Sequence, residues 1–153
     1  MGGKGRAGRT VLRNAMHLVE EFRVTNEGKT KHPADLVPLV SWKPPSQGLY
    51  KVNLDGAVFS NSKQAGAGVI IKDKAGEVIA ALSKKWKWTL GAIEVEAKAL
   101  EAGVEFAKDV GISEAEFESY SLLVCNVLQG LGSLPFSVMN VLTGVMNQLS
   151  CFR

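Results

Sequence analysis

Two hydrophobic periods follow one another in this chain, and their order limits the fold more than any single residue does. After Gly48 apolar side chains alternate, with Val52 and Leu54 on one side and Lys51, Asn53 and Asp55 on the other, the period-two pattern of a half-buried strand. Ala65 to Lys72 repeats the strand character, Asp73-Lys74-Ala75-Gly76 supplies a turn, and Glu77 to Trp86 makes a third strand, so an antiparallel meander is expected. At Ala92 the period changes. Through Val110, Ile93, Ala97, Leu100, Val104 and Ala107 fall on one helical stripe, while Glu94, Lys98, Glu101, Glu105 and Lys108 lie elsewhere on the helix. Gly111 closes that helix, Ala115 to Ser119 reads as a short fourth strand, and Ser121 caps a helix through Leu122, Val124, Val127 and Leu128. The order predicts an α/β domain with a mixed sheet, its fourth strand reached from the meander by a helical crossover.

A length of 153 residues and an apolar fraction of 46% suit one domain with a real core. The net charge of +3 is unevenly placed: Met1 to Gly48 holds eight Lys/Arg against four acids, Leu49 to Glu118 nine against eleven. The expected organisation is a basic leader over residues 1–41 and a domain over 42–153. Within the leader, Val11, Leu12, Ala15, Met16, Val19 and Phe22 recur at helical spacing, and Pro33 and Pro38 mark an extended linker. The opening residues are basic but lack the apolar run of a secretory signal, so an intracellular location, nucleus or cytoplasm, is expected. Cys125 and Cys151 are too far apart for a zinc or redox pair, which points to buried free thiols.

From Ser119 to Phe152 no residue is charged, yet Asn126, Gln129, Pro135, Asn140 and Asn147 interrupt the stretch, leaving no clean span of ~20 apolar residues for a membrane. Two helices, Ser121 to Gly130 and Pro135 to Leu149, packed on the sheet are expected instead. An exposed apolar patch there would make self-association through the C-terminal segment a liability.

Two acids sit where acids are disfavoured. Asp55 lies inside a strand, from which Asp is depleted. Glu96 interrupts the helical stripe, three residues after Ile93 and four before Leu100, where an unpaired carboxylate is costly to desolvate. Such a group either meets a cation or partner, or reaches solvent on its flexible stem; helical geometry alone leaves both readings open.

At this point the residues resemble a known family, the plant reverse-transcriptase-like, retroelement-derived ribonuclease H domains. The resemblance is carried by W-K-P-P-S-Q-G-L-Y-K-V-N-L-D-G-A, A-G-A-G-V-I-I-K-D-K-A-G, E-V-E-A-K-A-L-E-A-G-V and F-E-S-Y-S-L, in order, over about Trp42 to Gly130. It implies a ribonuclease H-like three-layer fold: an antiparallel three-strand meander plus a parallel fourth strand, flanked by helices. It also implies two-metal hydrolysis of the RNA strand of RNA–DNA hybrids, with Asp55 and Glu96 as the first two catalytic and metal-binding acids. Mg²⁺, or Mn²⁺, suits such acids because it prefers hard oxygen ligands, and a pair of ions about 3.5–4 Å apart can activate water and stabilise the leaving oxygen. By the same resemblance Gly56 and Ala57 bring backbone close to the RNA strand. Lys84, Lys85 and Lys87, interleaved with Trp86 and Trp88, offer charge and aromatic surface to the nucleic acid, or else form a solvated strand end beside core tryptophans.

The chain departs from that family in two places. Where the pattern after the fourth strand is Glu-Ser-Asp-Ser, this chain reads Glu118-Ser119-Tyr120-Ser121. A phenol is neutral near pH 7 and bulky, so Tyr120 cannot replace the third metal-binding acid. Glu118, on the same strand face, is a weak substitute, since the family commonly carries Glu there as well. The family's fifth strand, histidine-bearing loop and last helix with its fourth acid are also expected to be missing. His17 and His32 lie in the leader and are not transferred as catalytic. The expected function is a nucleic-acid-binding domain with impaired hydrolysis; the alternative is a non-catalytic binding module or retroelement remnant.

Overall fold

The computed structural model describes residues 42–152. The expected leader helix, the linker before Trp42 and both histidines lie outside them. The elements are β1 (Tyr50–Phe59), a single 3-10 turn (Ser60–Ser62), β2 (Gln64–Lys72), β3 (Val78–Trp86), α1 (Ala92–Asp109), β4 (Ala115–Ser119), α2 (Leu122–Leu128) and α3 (Phe136–Leu149). They build a four-stranded sheet in the order β3-β2-β1-β4. β1 runs antiparallel to β2, with Leu54 opposite Val69, and parallel to β4, with Leu54 opposite Ser119.

Local chemistry accounts for the turns. Asp73 Oδ1 accepts hydrogen bonds from the Ala75 and Glu77 amides at 2.8 and 3.0 Å, and Gly76 adopts φ +85°, so the β2–β3 connection is an Asp-organised turn that requires glycine. At the other end of α1, Gly111 takes φ +82° and its amide bonds to the Lys108 carbonyl, ending the helix where the sequence places the stop.

One face of the sheet is closed. Val52, Leu54, Val69, Ile71 and Phe117 point to it and are buried, and α1 lies across them. At about 1.5–3 kcal/mol for each fully buried aliphatic side chain, this face is the main source of stability. Gly103 sets how close the helix comes: a Cβ there would stand 2.9 Å from Leu54 Cδ2. Burial on α1 extends beyond the expected stripe to Val95, Ala99, Ala102 and Gly103. The reason is a correction to the expected packing: α3 packs chiefly on α1 and not on the sheet, so α1 is covered on more than one side. After α3 the Phe152 ring meets Phe117 of β4 edge-on at a centroid distance of 5.1 Å. No helix among the described residues is long and apolar enough to cross a membrane.

The opposite face is largely open. Asp55, Ala57, Gly68, Ile70 and Lys85 are exposed on it, and the segment before β1 lies over its near end.

Candidate functional site

Asp55 stands on the open face of β1, and Glu96 projects from the second turn of α1, so they come from different layers. What joins them is Gly56. A Cβ on Gly56 would lie 2.9 Å from the Val95 carbonyl oxygen and 3.3 Å from the Glu96 nitrogen, so strand and helix backbones touch one residue after Asp55. Only glycine allows that approach. The Gly56 backbone thus meets the helix directly, a packing role for a residue expected to lie close to substrate.

The Glu96 carboxyl titrates above the usual carboxylate range. Burial is the first cause and the charge of Asp55 the second, and a hydrogen bond from the Gly56 backbone opposes both. Its Oε2 is buried without a hydrogen-bond partner among the described residues. A carboxylate oxygen left in that state is unfavourable; a proton on Glu96 would relieve it, as would a hard cation shared with Asp55.

The third corner of the site is occupied differently. β1 and β4 pair as far as Leu54 and Ser119; one further step in that register sets Tyr120 beside Asp55. Tyr120 is 70% exposed, its ring directed to solvent. Immediately after it, Ser121 accepts the Val124 amide and caps α2, which fixes the turn that carries Tyr120.

Glu118 does not join the pair. It lies opposite Asn53, two residues from Asp55 along β1, which is about 6.6 Å of strand. There it accepts a hydrogen bond from Asn53 Nδ2 and pairs with Lys51 Nζ at 3.5 Å. Lys51 is only 5% exposed, and Glu118 is the acid that neutralises it. Among the described residues no three His, Cys, Asp or Glu side chains converge as a metal-holding group. Asp55 and Glu96 therefore fit one side of a divalent ion, and the residues present do not fit a complete two-metal site.

Cys125 is a buried free thiol, as expected, but the charge that acts on it was not legible in the sequence. It lies on α2, and its thiol is pushed up to about 11, first by burial and then by the charge of Glu96. Nothing in its spacing marks it. Cys151, expected to be buried, is exposed because it follows the last turn of α3.

The lysines expected to face nucleic acid divide between the two faces. Lys84 is opposite Ala67 on the helix side, 3.9 Å from Glu105 and over the Trp86 ring at 5.8 Å, and Trp86 is a core residue. Lys85 is opposite Gly66 on the open face, Lys87 is exposed, and Trp88 is 56% exposed. Asp55, Gly68 and Ser83 form one row across β1, β2 and β3, with Ala57, Gly66 and Lys85 in the next corresponding row. Gly68 leaves the first row low, whereas in the second Gly66 is buried, with the Phe59 ring 3.3 Å from where its Cβ would stand. Lys85 lies about 12 Å from Asp55 on the diagonal, two strand spacings across and two residues along.

This geometry has relatives. A profile described as reverse transcriptase-like matches residues 53–153. A search of the curated proteins returned no match. Among solved structures, RNase H1 from the halophilic archaeon Halobacterium salinarum is similar at 24% identity and a TM-score of 0.63, covering 69% of this chain and 80% of its own. The N-terminal RNase H domain of rv2228c from Mycobacterium tuberculosis is similar at 22% identity and a TM-score of 0.60, covering 68% and 76%. LC11-RNase H1, solved in complex with an RNA/DNA hybrid, is similar at 21% identity and a TM-score of 0.58, covering 65% and 75%. All three are similar in fold.

Proposed function

Because this chain belongs to the reverse transcriptase-like family, we propose that it is a ribonuclease H-like nucleic-acid-binding domain that takes RNA–DNA hybrid or RNA and whose hydrolysis is impaired at Tyr120. The observation that carries this is the joined pair of Asp55 and Glu96 with a phenol at the third corner. Asp55 and Glu96 would hold a Mg²⁺ or Mn²⁺ ion, which when bound would supply positive charge for a backbone phosphate, since Mg²⁺ is commonly bound by one or two carboxylates plus substrate phosphates.

This chain's own residues do the rest. Asp55 and Glu96 hold negative charge at one side of the open face, Lys85 and Lys87 supply positive charge to phosphates at the other, and exposed Trp88 offers a ring to a sugar or base. Lys84, turned to Glu105, contributes less. Selection of RNA would act through the wide minor groove and the 2′-hydroxyl. An intracellular setting, nucleus or cytoplasm, accords with such a ligand. The solved complex of LC11-RNase H1 with an RNA/DNA hybrid supports this reading of the ligand class.

The second reading, binding without catalysis, is favoured by the engagement of Glu118 with Lys51 and Asn53, which removes the nearest spare acid. Fluorescence anisotropy on a labelled hybrid across a salt series tests the binding itself. Each phosphate contact contributes roughly 0.7–0.9 to the salt slope, so the Lys85→Ala/Lys87→Ala double variant should lose about 1.4–1.8 of it. No binding at low salt, or an unchanged slope, would count against the nucleic-acid reading.

A further inference from the structure

The segment before β1 is a strap across the open face. Its end nearest β1 is held to β4, where the Ser46 amide donates to Glu116 Oε1 at 2.8 Å. Further back it passes β1, where Lys51 Nζ donates to the Lys43 carbonyl at 2.7 Å. Trp42 then lies over β2 and its turn, with Lys51 and Lys72 ammonium groups each 5.9 Å from the ring and the Gly76 position 3.3 Å from the ring edge. Traced backwards, the strap crosses β4, β1 and β2 in order, heading for β3.

At β3 it meets an apolar surface without a described cover. Val78, register partner of Lys72, is 58% exposed, and Ile79 and Ile70 are 49% and 41% exposed. β3 is also the edge of the sheet, with backbone groups on its outer side that no strand among the described residues pairs. Immediately upstream of Trp42 the sequence reads Leu36-Val37-Pro38-Leu39-Val40-Ser41, four aliphatic residues in five from Leu36 to Val40.

We propose that Leu36 to Val40 continues the strap and docks along β3 over Val78 and Ile79. Extended chain rises about 3.3 Å per residue and neighbouring strands lie about 4.8 Å apart, so Val40 reaches β3 from Trp42 and Leu39 passes its outer side. Pro38, which has no amide to donate, is tolerated in an added edge segment but not in a central strand. A segment tethered one residue from a fixed Trp42 has an effective concentration of order millimolar, which favours it over a second copy of the chain. Edge lysines Lys84 and Lys85 would further oppose a second copy bringing the same charges alongside.

Amide-resolved hydrogen exchange on the full chain tests this. The expected result is protection of the Leu36, Val37, Leu39 and Val40 amides and of the outward amides of Val78 to Leu82. A Leu39→Asp/Val40→Asp variant should speed exchange of those β3 amides about tenfold or more, with β1 amides unchanged as the control for folding. Reciprocally, Ile79→Asp should speed exchange at Leu36 to Val40. Free exchange at Leu36 to Val40 in the unsubstituted chain would overturn the proposal, as would β3 protection indifferent to the leader variant. Protection at β3 that fades on dilution would assign the surface to a second copy instead, and also overturns it.

Discussion

The two faces of one sheet are built from alternate residues of the same strands, yet they are under different constraints. On the closed face, Val52, Leu54, Val69 and Ile71 are interlocked with α1, and Gly56 and Gly103 are glycines because a Cβ would collide with what lies opposite. On the open face, Lys51 and Asn53 both donate to Glu118, Asn53 Oδ1 is left without a partner among the described residues, and Asp55 stands exposed where its charge is available. The first face determines the fold. The second is free to carry chemistry, and in this chain one corner of it carries a phenol. Asp55 and Glu96 form the point at which the two meet, since Glu96 belongs to the helix layer and Asp55 to the open side.

Substitutions can break this contrast. The largest effect is expected at Gly56→Val, where the added side chain meets the Val95 carbonyl and cannot yield without moving the helix; a loss of more than about 3 kcal/mol in denaturant unfolding is expected. Leu54→Ala comes next, about 3 kcal/mol, by removing a buried side chain against Gly103. If either costs less than about 1 kcal/mol, the closed face is not the stabilising one. On the open face, Glu118→Ala leaves buried Lys51, among the described residues, with the Lys43 carbonyl and the Trp42 ring, and about 1–2 kcal/mol is expected from the same measurement.

The junction itself has a pH signature. The folded Glu96 carboxyl titrates above its unfolded value of 4.5, so the folded state binds the proton more tightly. Its contribution is fully present below that unfolded value and is lost as pH rises through the folded one. Glu96→Gln should therefore raise the Tm at pH 7, with the gain disappearing below about pH 4.5. A lower Tm at pH 7 in the absence of divalent ions would show that the carboxylate is already satisfied. The smallest effect belongs to Tyr120→Phe, less than about 0.5 kcal/mol, because the ring is 70% exposed.

Much of this was legible before the structure. The fourth strand, Ala115–Ser119, and the cap at Ser121 fall where the sequence placed them, and α1 ends one residue short of Val110. These features rest on local rules of period, capping and turn chemistry. Asp55 and Glu96 stood out because an acid in a strand and an acid in an apolar stripe each violate such a rule. The packing of α3 on α1, the influence of the Glu96 charge on Cys125, and the separation of Lys84 from Lys85 were not legible. Each depends on which elements meet in space, or, for the lysines, on strand parity applied to a cluster read as one surface.

The central claim is that the Asp55–Glu96 pair survives and that Tyr120 is what limits it. The direct measurement is cleavage of an end-labelled RNA–DNA hybrid with Mg²⁺ or Mn²⁺ by the unsubstituted chain, Tyr120→Asp and Tyr120→Asp/Asp55→Ala. The account predicts little or no cleavage by the unsubstituted chain, a gain of at least about a hundredfold, near 2.7 kcal/mol of barrier, in Tyr120→Asp, and its loss in the double variant. Efficient cleavage by the unsubstituted chain, or no gain from a folded Tyr120→Asp, would contradict it.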